Sequence, residues 1–206
     1  MRLTFFLCFF NLFALPTWAQ IKLQNPSFEG FPNESESPVG WSACRNGASP
    51  DVLPGVWGVE KKAADGTSYA GLITREDGTY EDMTQKLSQP LKANECYTMT
   101  VKLARSKGYV GFRMPVRLRV WGGQTACERQ QLLASTKLIK NTDWQTYELA
   151  LKTKEMCNFI IFEAYYGAGT RRAYRGNLLL DDCSDIDPCR RAMLRTSKKP
   201  TNLRRY

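Results

Sequence analysis

Glu29, in Asn25-Pro26-Ser27-Phe28-Glu29-Gly30, and Asp181-Asp182, closing Gly176-Asn177-Leu178-Leu179-Leu180, are carboxylates near opposite ends of a 206-residue chain. Each adjoins an apolar stretch that suits a strand, and a sandwich whose first and last strands meet would bring these groups to one shared cation. In a strand Asp181 and Asp182 point to opposite sides, so only one of them faces such an ion. A second set, Glu76, Asp77, Glu81 and Asp82, clusters around Gly78. Glycoside hydrolysis needs two such carboxyls, one of them in an apolar setting that raises its pKa. These four read as a polar loop, where nothing raises a pKa. The chain has no histidine, which removes Ser-His-Asp and Cys-His mechanisms as usually built. G-x-S-x-G is absent, and Gly122-Gly123 ends a strand without a following helix, so no phosphate-cradling loop is present. The expectation is a protein that is not an enzyme.

Residues 1–19 read as a secretory signal: Arg2, an apolar run from Leu3 to Leu15, then Pro16-Thr17-Trp18-Ala19 before Gln20. Asn11 inside the run and Pro16 at its end argue against a membrane anchor, so no transmembrane segment is expected in the mature chain. Cys8 lies inside the signal. Cys44, Cys96, Cys127, Cys157, Cys183 and Cys189 remain, an even set in a chain bound for an oxidising compartment, and disulfides are expected with the connectivity open. Their spacing lacks C-x-x-C, which argues against zinc.

The net charge of +9 is unevenly placed. Arg190, Arg191, Arg195, Lys198, Lys199, Arg204 and Arg205 fall in residues 190–206 with no acid among them, while residues 20–189 are nearly neutral. The tail has too little apolar surface to order itself and suits contact with an anionic surface. Nucleic acid is not expected, because the body carries no basic stripe.

Residues 20–189 have the length of one domain, and their pattern is strand after strand. Leu23 begins the series, followed by Tyr69–Thr74, Cys96–Arg105, Val116–Trp121, Trp144–Leu151, Phe159–Tyr166 and Leu178–Asp182. Arg129–Leu138 suits a short helix or a hairpin arm equally. Many short strands with turn signals between them predict an all-β fold, an antiparallel β-sandwich or jelly roll. Alternation splits Val116–Trp121 into a core set (Val116, Leu118, Val120) and a polar set (Arg117, Arg119, Trp121). The same split places Glu163 and Tyr165, and Thr98, Thr100 and Lys102, on polar sides. One sheet face carrying Trp121, Tyr165, Arg117, Arg119, Lys102 and Glu163 would offer rings for stacking on sugars and fixed groups for hydroxyls. It would equally make a solvated face with cross-strand ion pairs, Arg119 with Glu163 for example. Trp57, in a loop, could cap the groove; Trp41 and Trp144 read as core.

Asn25-Pro26-Ser27-Phe28-Glu29-Gly30, Pro38-Val39-Gly40-Trp41, Asp65-Gly66-Thr67-Ser68-Tyr69-Ala70-Gly71-Leu72, Leu91-Lys92-Ala93-Asn94-Glu95-Cys96-Tyr97-Thr98, Thr142-Asp143-Trp144-Gln145-Thr146-Tyr147 and the closing Leu178-Leu179-Leu180-Asp181-Asp182 follow one another in an order that resembles the galactose-binding-like jelly rolls. The likeness is greatest to carbohydrate-binding modules of the family 4, 9 and 22 type, and similar domains occur in envelope proteins of Gram-negative bacteria. The resemblance implies a structural calcium held by Glu29 and Asp181, with carbonyls from Ser27 and from the Asp65–Thr67 turn, and it implies ligand binding on the concave face. It points to a secreted, non-catalytic module for carbohydrate or a cell-envelope glycan, extracellular or periplasmic and associated with the outer membrane. The alternative is a structural or adhesive envelope protein that binds protein partners and is held to the surface by its basic tail.

Overall fold

The computed structural model describes residues 20–45 and 47–189. Both the signal segment and the basic tail therefore lie outside the described residues. Within them are twelve strands and no helix: β1 (Ser42–Ala43), β2 (Asp51–Leu53), β3 (Tyr69–Thr74), β4 (Asp82–Leu91), β5 (Cys96–Ala104), β6 (Met114–Pro115), β7 (Arg117–Gly123), β8 (Gln131–Ser135), β9 (Gln145–Lys152), β10 (Cys157–Tyr165), β11 (Gly176–Asp181) and β12 (Asp187–Pro188). They form two sheets. One has the order β1-β4-β10-β7-β8; the other runs β12-β5-β11-β3-β2, with β9 on the second edge of β5 and the short β6 parallel to β11. This is the antiparallel sandwich the alternation predicts.

Period-2 patterning sets the layers. Val116, Leu118 and Val120 point inward beside Phe162 and Ala164 of β10, and meet Met99, Val101 and Leu103 of β5 and Leu178 and Leu180 of β11 across the interface. Phe28 and Trp41 close one end of this core, their rings 5.2 Å apart, with Trp41 5.1 Å from Phe162. Strands β3 and β11 are buried at every position. The reason is a second apolar cluster on the outer side of their sheet, where Leu53, Val59, Tyr69, Ile73, Tyr109 and Phe112 pack together. Loops therefore cover a face that would otherwise meet water, and the strands beneath read as continuous apolar runs.

The first and last described segments meet as expected: Ile21 and Ile186 exchange backbone hydrogen bonds at 3.1 and 2.9 Å, and Cys183 N donates to Pro26 O. Arg129–Leu138 contains the strand β8, not a helix. The ten-residue β4 was not foreseen. Its interior pattern Met83, Gln85, Leu87 is interrupted by an amide, because Gln85 substitutes for a neighbouring strand: its Oε1 accepts from Gln24 N, and its Nε2 donates to the carbonyls of Gln24 and Gly40.

Two disulfides form, Cys44–Cys127 and Cys96–Cys189, with Cα atoms 5.1 and 5.3 Å apart. Cys157 and Cys183 are unpaired and buried in the core. The even count misled here, since both behave as small apolar residues; burial pushes both thiols up and keeps them protonated.

Candidate functional site

The register of β7 against β10 builds the outward face of the five-stranded sheet. Tyr165 stands opposite Arg117, Glu163 opposite Arg119, and Ile161 opposite Trp121, while β4 adds Asp82 beside Glu163. Arg119 pairs with Glu163 Oε1, which also accepts from Trp121 Nε1 at 3.2 Å. The Arg119 guanidinium lies 3.2 Å from the Tyr165 ring centroid and 5.1 Å from that of Trp121. Tyr80 packs edge-on against Tyr165 at 5.0 Å and receives Arg45 over its own ring at 3.9 Å. Trp121, Tyr165, Arg117, Arg119 and Glu163 thus share one face.

A segment invisible to strand patterning crosses this face. After β7 the chain folds back, so that Cys127 is bridged to Cys44 beyond β1 and Arg129 reaches both acids of the sheet. Arg129 Nε donates to Glu163 Oε2 at 2.8 Å, Arg129 Nη2 pairs with Asp82, and Arg45 Nε lies 3.4 Å from Asp82 Oδ2. Glu163 and Asp82 have no solvent exposure. Gly123 permits the close passage, since a Cβ there would meet the carbonyl of Glu128. The acids are sealed beneath a strap, and Arg117, Tyr165 and Tyr80 remain half-exposed beside it. Asp82, Arg129, Arg45 and Tyr80 were not among the predicted face residues; the pairing of β4 with β10 identifies Asp82, and side-chain contacts identify the other three.

Two predicted face residues stand elsewhere. Lys102 belongs to β5 in the other sheet and pairs with Asp182, Nζ to Oδ2 3.1 Å. Trp57 lies over the outer side of that same sheet, donating from Nε1 to Asp51 at 3.2 Å. Trp144 also packs there, edge-on to Tyr69, while Trp41 is core.

The chain-end carboxylates converge on the turn 64–68. Glu29 accepts from Thr67 N at 3.1 Å, from Thr67 Oγ1 at 2.7 Å and from Ser68 N at 3.3 Å, lying over Gly66 where a Cβ would clash with it. Ser27 Oγ donates to Asp65 Oδ2 at 2.7 Å. Asp181 Oδ2 accepts from Ala64 N at 2.6 Å and Asp65 N at 3.1 Å. Asp181 faces the turn, is fully buried, and burial pushes its carboxyl up to about 6; no Lys or Arg pairs with it among the described residues. Asp182 turns away to Lys102. Glu29 and Asp181 therefore reach the same turn at different residues, Glu29 at Thr67 and Ser68 and Asp181 at Ala64 and Asp65, where Ser27 also joins Asp65. No group of three or more acidic, Cys or His side chains among the described residues is arranged to hold a metal alone, so a cation here would need backbone carbonyls as well.

The reading of Glu81 and Asp82 as loop acids is corrected. Both are fully buried at the start of β4. Glu81 Oε2 accepts from Ile73 N at 3.0 Å, covering backbone that β2 is too short to reach, and Oε1 accepts from Ser49 and Arg75. Burial pushes Glu81 up to about 7, against the opposing pull of Arg75. The folded chain therefore keeps a proton that the unfolded chain loses above the ordinary value of 4.5. Stability should fall as pH rises from about 4.5 to about 7 and level off above. Asp51, also raised by burial, contributes with the same sign. Urea midpoints at pH 5 and 8 check this, and Glu81→Gln should narrow the difference; an unchanged difference would contradict it.

Among known structures, the chain is similar to an arabinose-bound α-L-arabinofuranosidase of the GH51 type (TM-score 0.59, 13% identity, 83% of this chain and 27% of that one). It therefore spans only about a quarter of that enzyme. It is also similar to the CBM22-1 xylan-binding domain of Xyn10C from Paenibacillus barcinonensis (TM-score 0.51, 16% identity, 84% and 97% covered). A third likeness is to the K3 cleaved adhesin domain of Lys-gingipain from Porphyromonas gingivalis (TM-score 0.51, 15% identity, 82% and 99% covered). These likenesses establish the jelly-roll fold and nothing finer. A search of curated proteins finds no match. The sequence model of the HpiC1-like family, described as HpiC1 cyclase, matches residues 19–160, a span that includes Glu29, Asp82, Arg117, Arg119, Trp121 and Arg129 and stops before Glu163, Tyr165 and Asp181. With most of its length so matched, the chain belongs to the HpiC1-like family.

Proposed function

We propose that this chain is a secreted, non-catalytic carbohydrate-binding module, held together by calcium and disulfides, whose ligand lies on the outward face of the five-stranded sheet. One observation carries this reading: rings of Tyr165, Tyr80 and Trp121 stand half-exposed beside guanidinium groups already fixed by buried acids. Rings supply apolar platforms for sugar faces, and oriented N–H donors supply directionality with little ordering cost. Two disulfides suit an extracellular or periplasmic site, and the basic tail would add attraction to an anionic envelope surface. A glycan array probed with the purified protein, with and without calcium, tests the reading. Binding that falls at least tenfold in Trp121→Ala supports it, and absence of binding to every glycan sinks it.

The calcium of this reading would sit at the turn 64–68. Calcium accepts six to eight hard oxygens, and the residues that would hold it are Glu29 and Asp181 with carbonyls of Ser27 and of the Asp65–Thr67 turn. Bound calcium would supply positive charge that Asp181, buried without a cationic partner, otherwise lacks. Calcium at a hundred times its Kd should raise stability by about 3 kcal/mol. Thermal melts with calcium and with a chelator measure this, and Asp181→Asn should abolish the difference. A melt unmoved by calcium would contradict the assignment.

A second reading, catalysis by a protonated carboxyl, is favoured by the cyclase name of the family and by Glu81, whose carboxyl retains its proton toward pH 7. Its enclosure weighs against it, because both oxygens are committed to Ile73, Ser49 and Arg75. Turnover of any substrate that is lost in Glu81→Gln while glycan binding persists would favour catalysis.

A further inference from the structure

We infer that this face selects acidic glycans, bearing uronate or sulfate groups, over neutral ones; the inference rests on the carbohydrate reading above. Its charge is unbalanced. Three guanidinium groups, Arg45, Arg119 and Arg129, share two carboxylates, Asp82 and Glu163, and a fourth, Arg117, stands on the same face without an acid of its own. Both acids are fully buried, and every carboxylate oxygen is engaged: Glu163 by Arg119, Trp121 and Arg129, and Asp82 by Arg129, Arg45 and Cys44 N. No carboxylate acceptor is left for a sugar hydroxyl.

Arg117 is the residue with capacity to spare. It makes no ion pair among the described residues, and its Nε is buried without a hydrogen-bond partner. It leans toward the same Tyr165 ring as Arg119, with guanidinium carbons 5.7 and 3.2 Å from the centroid. With two guanidiniums beside one ring, this part of the face is rich in charged donors, which a planar carboxylate or a sulfate satisfies more strongly than a neutral hydroxyl does. The buried acids hold Arg119 and Arg129 in place without competing for the ligand, so the surplus positive charge is presented at fixed positions.

The test is calorimetric titration of the full chain with a galacturonate tetramer, a sulfated oligosaccharide of similar length and xylohexaose as the neutral probe. Arg117→Met and Lys107→Met remove equal charge, the second from an exposed loop beside the other sheet. The expected result is at least tenfold tighter binding of an acidic probe than of xylohexaose, lost at least tenfold in Arg117→Met and retained in Lys107→Met. The uronate and sulfate arms show which anion is preferred. Equal losses in both variants would assign acidic binding to overall charge, including the basic tail, and would overturn the inference. Xylohexaose bound as tightly as the acidic probes, with loss in Trp121→Ala, would overturn acid selection and leave the carbohydrate reading standing. No binding of any of the three probes would overturn acid selection, and the glycan array then decides separately whether the carbohydrate reading falls with it.

Discussion

Replacing Glu163 by alanine should destabilise the protein by about 3 kcal/mol, because it strands two arginines whose side chains are only 15% and 22% exposed. Arg119 and Arg129 converge on opposite oxygens of this one carboxylate, and Trp121 Nε1 also loses its acceptor. The residual exposure of both arginines sets the effect at the low end of that expected for breaking a fully buried pair. Thermal melts should show a fall on the order of 10 °C. Glu163→Gln keeps an acceptor oxygen and should cost less. A loss below about 1 kcal/mol in Glu163→Ala would mean that water screens the network, and that the guanidiniums are not held in place from below.

The second large effect belongs to the strap. Cys44 and Cys127 are separated by 83 residues, and removing the bridge in the double change Cys44→Ala and Cys127→Ala should cost about 4 kcal/mol through the freed unfolded chain. It should also act locally. The segment 124–130 is tied down by the bridge, by Arg129 and by the Glu128 carboxylate accepting from Gln124 N and Thr125 N, each at 3.1 Å. Without the bridge, hydrogen exchange should quicken in residues 124–130 while β5 and β11 keep their protection. Uniform loss of protection would show that the bridge supports the whole sandwich and does not specifically hold the strap.

Alternation was enough to read the polar and apolar sides of β5, β7 and β10, because each of these strands has one face in the core. It could not say which sheet a strand joins. Lys102 is outward on β5 just as Arg119 is outward on β7, yet the two point away from opposite sides of the sandwich, and no pattern within either strand encodes that. The strap was hidden for a related reason: Cys127 and Arg129 act through pairing with Cys44, Asp82 and Glu163, all distant in sequence. Glu81 and Asp82 looked solvated because the residues before them are polar, whereas Glu81 is buried against Ile73 just before β4 and Asp82, the first residue of β4, is buried beneath the strap. Glu81 in particular does the work of a missing strand for Ile73. The chain-end set was more legible. Glu29 and Asp181 sit beside the apolar segments whose pairing closes the fold, so both reach the turn 64–68, whereas that Asp181 and not Asp182 faces this turn is seen only in the structure.

The most direct measurement is a crystal structure of the protein with an oligosaccharide that it binds. A sugar ring should lie against Tyr165, with Trp121 and Arg117 in contact and the strap closed over Glu163. A sugar seated instead on the outer side of the other sheet near Trp57, or in the hollow of about 450 Å³ lined by Glu76, Arg113, Tyr174 and Arg175, with the Tyr165 face bare, would contradict it.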